Sequence, residues 1–313
     1  MRIVLTGANG FVGIEAARQL VDSGHEVLAI DSLRYGEWRF GEAERAAMTL
    51  HELDLRNPEP TRAAIAEFAP DAIVHLAAVH FIPECERLPD EAVSINVAAT
   101  VNLLAACPPQ CRFVFASTAA VYSPSADPHR EDGEIGPMDV YGHTKLAAEH
   151  MVRYYADKNG FDAVIVRLFN VVGPGETNPH ILPEIIKQLR GGVRELKLGN
   201  VSPKRDYIFV GDAAAGFIAA ATRPMPEGAK VVVANLGTGK QYSVADIVER
   251  MGTLVGSPIT IVTDPAKVRA VDRPFLCADN RRFSAAFDWG PTHDIDTSLG
   301  VTWQDARMIK QLL

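Results

Sequence analysis

The chain has 313 residues, 47% hydrophobic and 22% charged, with ordinary glycine and proline contents, so it can bury one large core or two unequal ones. Those proportions exclude a disordered, collagenous or disulfide-stapled chain, and a net charge of −8 without a long basic run excludes the footprint of a nucleic-acid or membrane-surface binder. No apolar stretch approaches the ~20 residues of a membrane span, and the first residues run into a strand pattern rather than a leader, so the cytoplasm is the expected location. The four cysteines, Cys85, Cys107, Cys111 and Cys277, lack CxxC spacing and neighbouring histidines, so they are expected to be reduced, with no metal centre.

In chain order, strands are predicted at Arg2–Thr6, Glu26–Asp31, Thr49–Leu55, Ala72–Ala77, Arg112–Ser117 and Asp162–Phe169. Between them lie helical patterns at Phe11–Ser23, Pro58–Phe68, about 90–107 and about 140–159. Strands that alternate with helices imply right-handed crossovers and a parallel sheet covered on both faces. The expected class is therefore α/β, a doubly wound parallel sheet of the Rossmann type. Beyond the Gly173-Pro174-Gly175 cluster the pattern loosens into helices at Ile181–Arg190, Gly211–Thr222, Ser243–Val255 and about 294–313, with short apolar runs at Glu195–Leu198, Tyr207–Val210, Lys230–Asn235 and Ile259–Val262. This reads as a smaller C-terminal α/β domain, giving a division into 1–170 and 171–313 that interleaves near 207–240.

Thr6-Gly7-Ala8-Asn9-Gly10-Phe11-Val12-Gly13 joins the first strand to the first helix. Glycines there permit a tight turn and let the backbone approach a pyrophosphate, which the helix N-terminus attracts. Asp31, at the end of the second strand, can accept hydrogen bonds from both hydroxyls of an adenosine ribose and would repel a 2′-phosphate. The expected cofactor is NAD. Asp54 closes the third strand, where it can meet the adenine, and Ala77-Ala78 closes the fourth, where small side chains let a ligand pass.

Tyr141-Gly142-His143-Thr144-Lys145 places a phenol and an ammonium four apart, on one face of a helix. A nearby cation favours the phenolate and would pull the tyrosine toward the working range of a general base. Ser117-Thr118 leaves the fifth strand at the same sheet edge and can hold the reacting hydroxyl.

Together these segments resemble the extended short-chain dehydrogenase/reductase family, in its nucleotide-sugar epimerase and dehydratase branch. The resemblance rests on Gly7-x-x-Gly10-Phe11-x-Gly13, His75-Leu76-Ala77-Ala78, Phe115 to Tyr122, Tyr141-x-x-x-Lys145, Arg167 to Gly175 and Arg205 to Val210. It implies that Tyr141 is the base, that Lys145 also holds the nicotinamide ribose, and that Thr118 binds the sugar hydroxyl. The cofactor set it implies includes Phe11, Ser32, Leu55, Asn96 and Ser117, and the nucleotide diphosphate would meet Asn170, Arg205, Arg269 and Asp272. A homodimer through the helices near 90–107 and 140–159 is also implied.

Dehydratases of that branch carry an Asp-Glu pair after the catalytic hydroxy residue, and here stand Ala119 and Ala120, which transfer no proton. Its reductases usually take NADPH, which Asp31 disfavours. The expected reaction is 4-epimerisation of a UDP-hexose or UDP-uronic acid through a 4-keto sugar. The alternatives are a dehydrogenase, reductase or dehydratase acting on a GDP-, dTDP- or CDP-sugar, and a non-catalytic dinucleotide sensor. His80 stands where many UDP-glucose epimerases have lysine and is expected to read the sugar. Leu168 replaces a usual tyrosine, and Thr144 a usual serine. The segment Ser123–Asp139 is expected to be a mobile loop over the sugar.

Overall fold

β-branched apolar runs and amphipathic helices take turns along the first half of the chain, and the computed structural model, which describes residues 1–176, 178–267 and 273–305, folds them into a parallel sheet. The strands are β1 (Arg2–Thr6), β2 (Glu26–Asp31), β3 (Thr49–Glu52), β4 (Ala72–His75), β5 (Arg112–Thr118), β6 (Asp162–Leu168), β7 (Asn170–Val172), β8 (Glu195–Leu198), β9 (Lys204–Phe209), β10 (Val231–Leu236), β11 (Gln241–Ser243), β12 (Thr260–Thr263) and β13 (Phe275–Leu276). The helices are α1 (Phe11–Asp22), α2 (Glu42–Ala46), α3 (Pro58–Phe68), α4 (Ile82–Arg87), α5 (Pro89–Val93), α6 (Ala99–Ala106), α7 (Val140–Asn159), α8 (Ile181–Arg190), α9 (Val210–Thr222), α10 (Val244–Val255), α11 (Arg281–Phe287) and α12 (Ile295–Gln304).

Seven strands pair in the order β10-β6-β5-β4-β1-β2-β3, all parallel. Because both faces are covered, the strands are apolar at successive positions rather than at alternate ones. Ile3 and Leu5 pack with Phe217 of α9 and Phe283 of α11, while Val4 between them packs with Leu103 of α6 and Val152 of α7. A second layer gathers β7, β9, β11 and β13 into one small sheet and β8 with β12 into another, over a core of Ile185, Leu196, Ile247 and Met251. The chain returns from β9 to α9 and β10, so residues 210–236 belong to the large sheet.

Three expectations differ from the structure. The helix predicted over about 90–107 contains a π-helical turn at Ser94–Ala98 between α5 and α6, and this wider turn carries Asn96. The segment Ser123–Asp139 is tied down: His129 N donates to Cys277 O at 2.8 Å, Asp279 N donates to His129 O at 2.9 Å, and Gly136 N donates to Val121 O at 3.0 Å. Of that segment only Met138 and Asp139 line the central cavity. The last helix ends at Gln304, where Asp305 turns extended, and the remainder of its predicted span, 306–313, lies outside the described residues.

Candidate active site

The carboxyl ends of β1, β2, β4, β5 and β6 open into a cavity of about 1620 Å³ that continues beneath the small sheet. At its floor, Gly7 adopts φ 68°, and a Cβ there would meet Ala77 N at 2.6 Å. A Cβ on Gly13 would lie 2.0 Å from Gly7 O. The glycines thus let α1 start against the strand ends, and its N-cap, Gly10, offers no side chain to the first turn. The free N–H groups and the dipole there suit a pyrophosphate. Asp31 closes β2 beside this turn, accepting from Asn9 N at 3.0 Å and Leu33 N at 2.9 Å. Burial still raises its pKa, so hydroxyl donors from a ribose would restore what water no longer supplies.

At the catalytic end, Asp139 caps α7 by accepting from Gly142 N at 2.7 Å. The helix then presents Tyr141 on the cavity wall that Thr118 also lines, and places Lys145, 1% exposed, over the Phe115 ring at 4.4 Å. The electrostatics correct the expectation of an acidic phenol. Burial is the largest influence on Tyr141 and lifts it above the ordinary 10.0, while burial lowers Lys145 to about 7. The carboxylate nearest the ammonium, Glu149, is already held by Arg167 at 2.8 Å and 2.9 Å and by Ser117 Oγ at 2.5 Å. In the protein alone, each member of the pair is pushed toward its neutral form.

Gly7, Gly10, Phe11, Gly13, Asp31, Ser32, Asp54, Leu55, Ala77, Ala78, His80, Ser117, Thr118, Tyr141, Lys145, Asn170 and Arg205 all line this cavity. Asn96 does not. It is fully buried, and its amide joins Val79 N and O to Thr144 Oγ1 at 2.8 to 2.9 Å, which fastens the exit of β4 to α7 instead of reaching a cofactor. The hydroxyl of Ser117 is likewise engaged by Glu149, and Asp54 by the Arg56 guanidinium fork at 2.5 to 3.0 Å. Arg269 and Asp272 lie outside the described residues.

Several lining residues escaped the sequence reading. Arg34, three positions after Asp31, is held by Glu91 and by Glu84 at 3.2 Å, which keeps its charge from a 2′-phosphate. Glu176 and His180 pair close to the exposed His80, whose Nε2 accepts from Asn178 at 2.9 Å. These residues lack a motif spacing, and only the fold brings them together. Among the described residues no cluster of metal-ligating side chains occurs, and the four cysteines are free and buried.

Comparison with known proteins adds the family. A profile of the NAD dependent epimerase/dehydratase family matches residues 3–237. The chain belongs to that family. As a member it takes NAD, which the glycine cradle and Asp31 fit. The UDP-glucose 4-epimerase of Corynebacterium glutamicum is 32% identical over 322 residues, covering 97% of this chain and 95% of the relative. The GDP-6-deoxy-D-mannose reductase of Pseudomonas aeruginosa is 25% identical over 315 residues, covering 97% and 96%. A crystal structure of UDP-glucose-4-epimerase from Stenotrophomonas maltophila with bound NAD and formylated UDP-arabinopyranose matches with a TM-score of 0.89 at 25% identity, over 100% of both chains. No helix among the described residues is long and apolar enough to cross a membrane.

Proposed function

We propose that this family member is a cytoplasmic NAD-dependent 4-epimerase of UDP-sugars, with the large sheet holding the cofactor and the small sheets the nucleotide sugar. The observation that carries this reading is that Tyr141, Thr118 and Lys145 line one cavity, beside two alanines where elimination would need an acid and a base. The curated relatives named UDP-glucose 4-epimerase support it.

Bound NAD would supply the hydride acceptor and donor, in a cavity that by itself favours the neutral phenol. Tyr141 accepts the proton of the C4 hydroxyl as that carbon is oxidised, and Thr118 holds the same oxygen. Lys145 binds the nicotinamide ribose and, when protonated, adds positive charge beside the phenol. Arg205 and Asn170, with Arg269, anchor the diphosphate while the 4-keto sugar turns, and Asp272 belongs to the same nucleotide-contacting segment as Arg269. Tyr141 then returns its proton to the oxygen on the other face. Asp31 and the glycine turn retain the cofactor between turnovers, since each cycle ends with the oxidised form. His80, on the cavity wall, reads the sugar.

The test is to incubate purified enzyme with UDP-hexoses and UDP-uronic acids and to follow the products by NMR. Interconversion of C4 epimers without net change in NADH absorbance is expected. A 6-deoxy-4-keto sugar, a pentose or stoichiometric NADH would overturn the reading. A homodimer through the exposed Val93 of α5 and Tyr154 of α7 belongs to the same proposal, and sedimentation at micromolar concentration checks it.

A further inference from the structure

Arg273 stands where the segment before β13 meets the start of α7, at the wall of the cavity, and is 9% exposed. Its Nη1 donates to Asp139 Oδ2 at 3.3 Å and its Nη2 to Ala120 O at 3.0 Å, while its buried Nε has no partner among the described residues. Both acceptors belong to the segments that carry the reacting hydroxyls. Asp139 is the cap of α7, with Tyr141 two residues on. Ala120 lies in the short turn after β5, and its N–H donates to Thr118 Oγ1 at 3.1 Å. The two segments also touch directly, since a Cβ on Gly142 would meet Ala120 O at 2.6 Å. The carbonyl of Arg273 accepts from Arg205 Nη1 at 2.7 Å, which ties this fork to a residue of the nucleotide end.

We propose that Arg273 is a positioning residue for the reaction: by gripping Asp139 and the Ala120 carbonyl together, it fixes the Tyr141 hydroxyl against Thr118 and balances the Asp139 charge beside it. The inference rests on Tyr141 acting as the base. The groups that act on the phenol are Thr118 at the end of β5, Cys85 of α4 and Asp139 at the cap of α7, with Lys145 one turn along α7, Glu86 on α4 and Arg273 paired to Asp139. Cys85 is pushed up to about 11 by burial and stays neutral in the working range, and Glu86 is occupied by Val140 N at 2.8 Å. Asp139 is therefore the anion that most directly opposes the phenolate, and Arg273 is its only ion-pair partner recorded among the described residues. The fork geometry matters as well as the charge, since an ammonium presents donors from one point and cannot span two acceptors in a fixed plane.

The experiment compares the wild-type holoenzyme with R273Q, R273K, D139N and the R273Q/D139N double variant, reading kcat and KM against pH on an accepted UDP-sugar. It also titrates the phenol by ultraviolet difference against Y141F, which needs no turnover. For R273Q we expect kcat to fall about tenfold or more with KM within about threefold, because misplacement of a positioned base acts on the chemical step. The acid limb of the profile and the phenol titration should move to higher pH. D139N should move both to lower pH, and the double variant should return them toward the wild type. R273K should restore the position of the limb but only part of kcat. If R273Q changes kcat by less than twofold with an unmoved limb, if its loss lies wholly in KM, or if it loses only thermal stability and NAD retention, the proposal is overturned. Should R273Q fail to fold, D139N decides, and an unmoved phenol titration there overturns it. A wild type inactive on every UDP-sugar would remove the functional reading, while the phenol titration would still decide the role of Arg273.

Discussion

Replacing Gly13 by alanine tests the cofactor cradle most sharply. A methyl group at that position would sit 2.0 Å from Gly7 O and 2.9 Å from Ala8 C and Cα, whereas ordinary contacts begin near 3.4 Å. The obstacles are backbone atoms, so no side-chain rotation relieves them. Either α1 or the Gly7 turn must retreat by about 1.4 Å, and overpacking on that scale costs typically about 1–3 kcal/mol, with about a hundredfold loss for an ångström of misplacement at a binding or reacting group. G13A should thus unfold several degrees lower and bind NAD at least about tenfold more weakly. G10A supplies the mild case, with its nearest contact at 3.0 Å. G24A supplies the control, since Gly24 has φ 75° with nothing within 4 Å, so it carries backbone strain of about 1–2 kcal/mol without a clash. Thermal unfolding with and without added NAD, together with NAD titration by fluorescence, separates the effects. A G13A enzyme that binds NAD within threefold of wild type, or a G24A enzyme that binds as poorly as G13A, would refute the reasoning.

Other consequences follow from the same geometry. Y141F should lower epimerisation by about 10²–10⁴ while NAD remains bound, and T118A should act in the same direction; product NMR and the cofactor absorbance check both, and undiminished turnover in Y141F would dismiss the base assignment. E149A should cost about 3–5 kcal/mol in denaturant unfolding, because it strands the Arg167 guanidinium, 4% exposed, whereas the E149L/R167M double variant should lose much less than the single change. His75, fully enclosed between Thr6 and Thr100, has a pKa lowered by burial to about 3 from 6.5, so it stays neutral in the fold while the unfolded chain takes up a proton. Its contribution to stability is complete above pH 6.5 and is lost as the pH falls toward 3, and H75N should show a shallower dependence of the urea midpoint over that window.

The local steps of the fold were legible because each carries its own pattern. Apolar runs marked β1, β2 and β4 to β6, and Gly7, Gly10 and Gly13 marked a turn where a side chain could not fit. The Tyr141 to Lys145 spacing identified a helix face without any tertiary information. What stayed hidden depends on partners remote in sequence. The acidity of Tyr141 follows from how much water the cavity excludes, which spacing does not report. Asn96 was assigned to the cofactor on motif alone, whereas the π turn aims its amide at Val79 and Thr144. The loop before Asp139 has prolines and charges that read as mobile, yet two backbone hydrogen bonds between His129 and the Cys277–Asp279 segment hold it. Arg273 and Arg34 acquire meaning only from Asp139, Glu84 and Glu91, whose distances along the chain no periodicity encodes.

The chain passes between the large sheet and the small ones repeatedly: from β6 to β7, from β9 to α9, from β10 to β11, from β13 to α11, and again before α12. Two layers sewn together by that many connections have no single flexible joint, so they resist swinging apart like the covers of a book. A ketone generated between them has no wide exit, and its rotation must be accommodated by space already present. Grafting a different specificity onto this scaffold would accordingly require exchanging several short segments at once, since no one cut frees the layer of small sheets.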